Sequence, residues 1–121
     1  MTWDNWRFQD SLLKRIEDAR RYRWEHEERI RRKQPNGKQW MVGEKNAEIA
    51  ILSGLVGGNT YRTPADVVAK LEQMRDEPQS PSDHASKEEA EGFRRGWEMT
   101  IRAEIANMTS VVARQDQEGQ R

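Results

Sequence analysis

Apolar residues recur at helical spacing in four segments of the chain, and this pattern predicts helices. In the first segment, Asp10 to Lys33, the apolar positions are three, four or eight residues apart: Phe8, Leu12, Ile16, Ala19, Tyr22 and Ile30. This spacing is close to the 3.6-residue helical period, so these side chains share one face of a helix. Pro35 and the Asn36-Gly37 pair favour a turn directly after it.

Two shorter segments predict helices from Gly43 to Val56 and from Thr63 to Asp76. Apolar residues nearly encircle the second segment, which predicts a helix buried on most sides. The third segment has favourable residues at its start. Thr63 can cap the helix, Pro64 fits the first helical position, and Asp66 suits the first turn.

The fourth segment begins with a capping-box pattern, Ser86 to Glu89, and extends to Arg114. Its apolar stripe comprises Ala90, Phe93, Trp97, Ile101, Ile105, Met108 and Val112. Pro- and Ser-rich residues 77–85 predict a mobile loop, and polar residues 115–121 predict a disordered tail. The predicted domain therefore covers residues 1–114.

The lengths of the predicted helices suggest how they are arranged. At ~1.5 Å rise per residue, the first and fourth helices span roughly 36 and 42 Å. Two long helices of similar length favour an antiparallel arrangement, with the two shorter helices between them. The sequence thus predicts an all-α fold of three to four helices, and no segment has a convincing strand pattern.

Composition indicates a small hydrophobic core. Leu, Ile, Val and Phe together supply 19 of 121 residues, although five Trp add large apolar surface. A chain of this length forms one domain. Because the large aliphatic residues are so few, we expect a partner or a second copy to complete the core.

Charge and cysteine content exclude several classes of protein. The chain has 21 basic and 21 acidic residues and no cysteine. It therefore has no disulfide framework, thiolate zinc site or cysteine nucleophile. The longest apolar stretch, 49–56, is too short to cross a bilayer. The segment from Met1 to Arg7 lacks the apolar run of a secretory signal, so we expect a cytoplasmic protein that does not enter the membrane.

The most prominent charged feature lies in the first helix. Residues 20–33 contain seven basic and three acidic residues, a local charge of +4. Because Arg and Trp are enriched in binding hot spots, this region predicts a partner-binding face. The residues assigned to it are Arg20, Arg21, Arg23, Trp24, Arg31 and Arg32.

The same region supports two other interpretations. Four Glu–Arg pairs spaced four residues apart, from Glu17–Arg21 to Glu28–Arg32, are typical of a solvated helix face. Alternatively, the arginines together with Lys33 form the surface of a nucleic-acid-binding regulator.

The fourth helix contains two glycines four residues apart, Gly92 and Gly96. Each costs about 1 kcal/mol relative to Ala in a helix interior, so close contact with another helix is expected to offset the cost. We assign helix packing or dimer contact to Gly92, Phe93, Gly96, Trp97 and Ile101.

The sequence offers no catalytic constellation. His26 and His84 are the only histidines, and His26-Glu27-Glu28 lacks the second His of a zinc-binding helix. We assign no catalytic residue, metal site, cofactor or small-molecule substrate. The predicted function is a non-enzymatic helical protein-interaction module that binds a protein partner, itself as a homodimer, or both.

The stretch Gly92-Phe93-Arg94-Arg95-Gly96-Trp97-Glu98 is similar to a Gly-aromatic-x-x-Gly-Trp stretch common in short phage reading frames. On these seven residues, the chain resembles the small Arg- and Trp-rich accessory proteins encoded by actinobacterial viruses. The resemblance implies a non-essential or host-directed binding protein and carries over no catalytic residue.

Overall fold

The computed structural model describes residues 3–57 and 61–119 of the chain. These residues form four α-helices and no strand: α1 (Asn5–Arg31), α2 (Gln39–Leu55), α3 (Pro64–Asp76) and α4 (Lys87–Gly119). The predicted all-α class is therefore confirmed.

Helix α1 begins five residues before its predicted start because Asp4 caps it. The backbone N–H of Arg7 donates to Asp4 Oδ1 at 3.2 Å, which satisfies one of the free donors of the first turn. At the other end Lys33 takes a left-handed conformation, with φ of 57°. The N–H of Gln34 then donates to the carbonyl of Arg29 at 2.9 Å, as in a Schellman motif.

The caps predicted for α3 and α4 are present. Asp66 Oδ2 accepts from the backbone N–H of Thr63 at 3.2 Å, and Ser86 Oγ accepts from that of Glu89 at 3.1 Å. Helix α4 continues to Gly119, so the backbone of 115–119 is helical where the sequence predicts a disordered tail. Gln120 and Arg121 lie outside the described residues.

Helix α2 lies between α1 and α4, and α3 packs on α4. Arg23 of α1 bonds Asn46, and Gln9 bonds the carbonyl of Leu55, so α1 and α2 are antiparallel. Helices α2 and α4 run in the same direction, because Gly92 lies against Trp40 and Gly96 against Glu44. The two long helices are therefore antiparallel with α2 between them, as predicted, whereas α3 packs on α4 and does not contact α1.

The core is continuous across all four helices and includes Tyr61, which lies between α2 and α3 in the chain. Its buried members are Leu12, Ile16, Ala19, Ala47, Ile49, Ile51, Leu52, Leu55, Tyr61, Val67, Leu71, Phe93, Trp97, Ile101 and Met108. Buried residues lie around most of the circumference of α2, which confirms that it is buried on most sides. The few large apolar residues thus form one core within a single chain.

Three glycines allow the backbones of α2 and α4 to approach closely. A Cβ added to Gly43 would collide with the carbonyl oxygen of Glu89, and one added to Gly92 with that of Trp40. At Gly96 it would lie 2.7 Å from the Cα of Glu44. These neighbours are backbone atoms, which cannot move aside individually.

An ion pair between a buried carboxylate and a partly exposed arginine links the two long helices. Glu104 of α4 is only 4% exposed, and both of its carboxylate oxygens accept from the guanidinium of Arg15 on α1. This fork geometry satisfies a carboxylate that would otherwise be buried without a partner.

We predict that Gly92→Ala lowers the free energy of unfolding by about 1–3 kcal/mol, because its Cβ would overpack the α2 backbone. Gly54→Ala is the matched control, since a Cβ there meets only the mobile end of Met74. It should be neutral or stabilising. Urea denaturation of both variants checks this, and equal effects would contradict the proposed close approach.

We further predict that Arg15→Met destabilises the fold by about 2–3 kcal/mol, because it leaves the Glu104 carboxylate buried and unpaired. The double variant Arg15→Met/Glu104→Leu removes both charges and should recover most of that loss. Thermal and urea unfolding of the two variants test this, and an equally unstable double variant would disprove the pairing argument.

Candidate protein-interaction surface

The outer side of α1 exposes three large apolar side chains. Trp6 is 76% exposed, Leu13 55% and Trp24 61%. They are separated by 7 and 11 residues, each close to a whole number of helical turns, so they lie within about 20° of one another around the helix axis. The buried residues of α1, such as Leu12 and Ile16, lie on a different face.

Charged residues complete this line at spacings of three or four. We call the set Trp6, Asp10, Leu13, Glu17, Arg20 and Trp24 the outer stripe. Asp10 lies 3.2 Å from Lys14 Nζ, and the Glu17 side chain is largely exposed. Arg20 is exposed and has no ion-pair partner among the described residues. The outer stripe therefore combines apolar side chains with charges of both signs.

The structure places the predicted partner-binding residues in different environments. Trp24 and Arg20 belong to the outer stripe. Arg21 lies 3.8 Å from Glu17 and 3.7 Å from Asp18, so acidic neighbours balance its charge.

Arg31 and Arg32 both pair with Glu28, at 2.6 and 3.7 Å. The hydrogen bond from Arg31 lowers the pKa of the Glu28 carboxyl. Lys33, assigned to the nucleic-acid alternative, occupies the left-handed position at the end of α1.

Of the four Glu–Arg pairs anticipated in the sequence, Glu17–Arg21 and Glu28–Arg32 are present. Arg31 pairs with Glu28 instead of Glu27, and no ion pair joins Glu25 to Arg29 among the described residues.

Arg23, also assigned to the partner face, instead joins helices within the chain. Its Nη1 donates to Asn46 Oδ1 at 3.0 Å, and Asn46 Nδ2 donates to Glu89 Oε1 at 3.0 Å. These bonds connect α1, α2 and α4 in one polar chain. Arg23 therefore contributes to holding α1 in place.

The five residues assigned to helix packing or dimer contact are all buried within one chain. Gly92 and Gly96 lie against α2, whereas Phe93, Trp97 and Ile101 belong to the core. Trp97 Nε1 also donates to the carbonyl of Met74 on α3 at 3.2 Å. Their packing is therefore internal, and any dimer contact must use another surface.

Sequence reasoning missed Trp6 and Leu13 as surface residues. Trp6 precedes the predicted start of α1, and Leu13 is adjacent to the core residue Leu12. The signal that could have identified them is their seven-residue separation, followed by eleven residues to Trp24. This spacing defines a second apolar line about a third of a turn from the core face.

His26 is a buried titratable residue in α1, only 2% exposed. Its Nε2 lies 3.5 Å from Arg29 Nη1, and its ring lies 4.6 Å from that of Tyr22. Its Nδ1 has no hydrogen-bond partner among the described residues. Burial, followed by the charge of Arg29, lowers the pKa of His26, and nearby Lys45 acts in the same direction.

A groove of about 960 Å³ lies between α4 and the segment 78–83. Trp97, Ile101 and Ile105 contribute apolar walls, and Arg94 also lines the groove. Its acidic residues are Asp83 and Glu98, of which Glu98 accepts a 2.9 Å hydrogen bond from Arg102.

Comparisons with known protein families, curated proteins and solved structures find no match to this chain.

In the described ranges, no three acidic or His side chains cluster in a way that could hold a metal ion. Of the helices seen in the structure, none combines the length and apolar character needed to cross a membrane.

We predict that stability falls as the pH drops below about 6.5, the ordinary pKa of His26. The unfolded chain then takes up a proton that the folded chain resists, with a slope of up to about 1.4 kcal/mol per pH unit from this residue. Urea unfolding from pH 7.5 to 5 measures it. His26→Gln should flatten the profile, whereas His84→Gln, a change at an exposed histidine, should leave it unchanged. Identical profiles for the two variants would contradict this assignment.

Proposed function

We propose that this chain is a non-enzymatic helical interaction module that binds a protein through the outer stripe of α1. The observation that carries the proposal is the alignment of Trp6, Leu13 and Trp24 on one exposed line. Isolated exposed apolar residues are ordinary, but an aligned set containing two Trp is characteristic of a binding surface.

The geometry of the outer stripe favours a helical protein partner. Its members alternate at spacings of four and three, which is the pattern by which one helix packs along another. Charged residues between the apolar ones would fix the register and the choice of partner. We therefore infer that the partner presents a helix of about the same length as α1.

The nucleic-acid alternative receives less support from the charges. Binding to phosphates requires unpaired positive charge, whereas Arg21, Arg31 and Arg32 have acidic neighbours within 4 Å. A surface of balanced charge suits a protein partner better than a polyanion. The resemblance to phage accessory proteins implies that the partner is a host or viral protein.

Site-specific photo-crosslinking in cells tests the proposal. A photoreactive residue replacing Leu13 should form protein adducts, and the added change Trp24→Ser should reduce them about tenfold, because the anchor is lost. The matched control places the photoreactive residue at Met99, which is equally exposed on α4.

Equal capture from both positions, or no capture from position 13, would overturn the proposal.

Fluorescence anisotropy with labelled single- and double-stranded oligonucleotides provides the second arm. Oligonucleotide binding that weakens steeply with salt and is lost in Arg20→Glu would instead support the nucleic-acid alternative.

A further inference from the structure

We propose that the partner of the outer stripe is the outer stripe of a second copy of this chain, packed antiparallel. In this arrangement, Trp6 of one copy lies opposite Trp24 of the other, Asp10 opposite Arg20, and Leu13 opposite Glu17. The inference rests on the proposed function and names its partner.

The outer stripe has the spacing of a two-helix seam. Its positions are separated by 4, 3, 4, 3 and 4 residues, so apolar and charged side chains occupy the places that face a neighbouring helix in a coiled coil. Trp6 and Trp24 lie 18 residues apart, or about 27 Å along the helix. In the proposed dimer, each end of the seam would therefore hold Trp6 of one copy against Trp24 of the other.

Charge complementarity selects the antiparallel direction. Parallel packing would place Asp10, Glu17 and Arg20 each opposite its own copy, giving three like-charge contacts. Antiparallel packing in the stated register pairs Asp10 with Arg20 twice and creates no like-charge contact along the seam. Like charges facing each other across an interface strongly disfavour the wrong arrangement.

The pairing of charges across the seam also distinguishes the proposed register from the neighbouring antiparallel registers. A shift of one heptad in one direction places Asp10 opposite Glu27, and a further heptad places Glu17 opposite Glu27. Both shifts bring carboxylates together twice because of the two-fold symmetry. A shift of one heptad in the other direction creates no like-charge contact, but it places Asp10 opposite Leu13 and Glu17 opposite Trp6, so both Asp10–Arg20 pairs are lost. The proposed register is therefore the one that keeps two opposite-charge pairs without a like-charge contact.

The structure leaves these groups available. Helix α1 packs mainly against α2 and is joined to α4 through the Arg15–Glu104 ion pair. Trp6, Leu13 and Trp24 are each more than half exposed, so the outer side of α1 is uncovered. Arg20 has no ion-pair partner in the described part of the chain. Pairing with Asp10 of a second copy would therefore break no existing ion pair of Arg20. Leu13 can pack on the methylene groups of Glu17, whose side chain is exposed.

Sedimentation equilibrium of the full chain tests this self-association. We expect a mass that approaches twice 14.2 kDa as the concentration rises. Arg20→Asp places acid opposite Asp10 and should weaken dimerisation about 10–100-fold. The swap Asp10→Arg/Arg20→Asp restores opposite charges and should restore dimerisation. Arg94→Asp, a change at an exposed arginine outside the outer stripe, is the control and should have no effect.

Disulfide trapping tests the register, because the chain has no cysteine of its own. An oxidised mixture of Leu13→Cys and Glu17→Cys chains should form mixed disulfides in preference to either homodimer. Preferred homodimers of the Leu13→Cys chain would indicate parallel packing and overturn the proposal.

Three further results would also overturn self-pairing. These are a monomer at all soluble concentrations, a dimer unaffected by Arg20→Asp, and a charge swap that fails to rescue. If the chain is monomeric but position 13 still crosslinks to a different protein, self-pairing fails and the proposed function stands. If position 13 crosslinks to nothing, both fail.

Discussion

The close approach of the α2 and α4 backbones is the constraint on which the rest of the structure depends. Gly43, Gly92 and Gly96 remove the side chains that would hold the two helices apart, and α2 then lies where its apolar residues meet those of its neighbours. Because the chain has few large aliphatic residues, its continuous core depends on short distances between helices rather than on large side chains. Phe93 and Trp97, on the same stretch of α4, supply two of the three aromatic rings among the buried residues of that core.

This central pairing determines the position of α1. Because α2 lies between the long helices, α1 occupies an edge and has α2 as its main neighbouring helix. Polar links supplement its apolar packing, from Arg15 to Glu104, from Arg23 to Asn46 and from Gln9 to the carbonyl of Leu55. The side of α1 away from α2 is consequently the exposed one, and it is there that Trp6, Leu13 and Trp24 line up.

More of the fold than of the candidate site could be predicted from the sequence. Apolar periodicity identified all four helices, and the chemistry of Thr63-Pro64-Ala65-Asp66 and Ser86 placed two of their starts. The start of α1 was missed because its cap, Asp4, is followed by Asn5-Trp6-Arg7, which lies before the apolar spacing of the buried face begins at Phe8. Arg23 and Glu104 could not be assigned, because their partners lie 23 and 89 residues away. Whether Trp24 was buried or exposed depended on which helix lay beside α1, which periodicity alone does not specify.

The edge position of α1 has a consequence for how the molecule opens. Separating α1 from α2 breaks one helix interface and the polar links of Arg15, Arg23 and Gln9, whereas the α2–α4 and α3–α4 contacts stay intact. This arrangement permits a partial opening, in which α1 separates from the other three helices while they remain packed. Amides of α1 would then exchange with solvent earlier than those of α2, and the first helix would be the natural entry point for proteases.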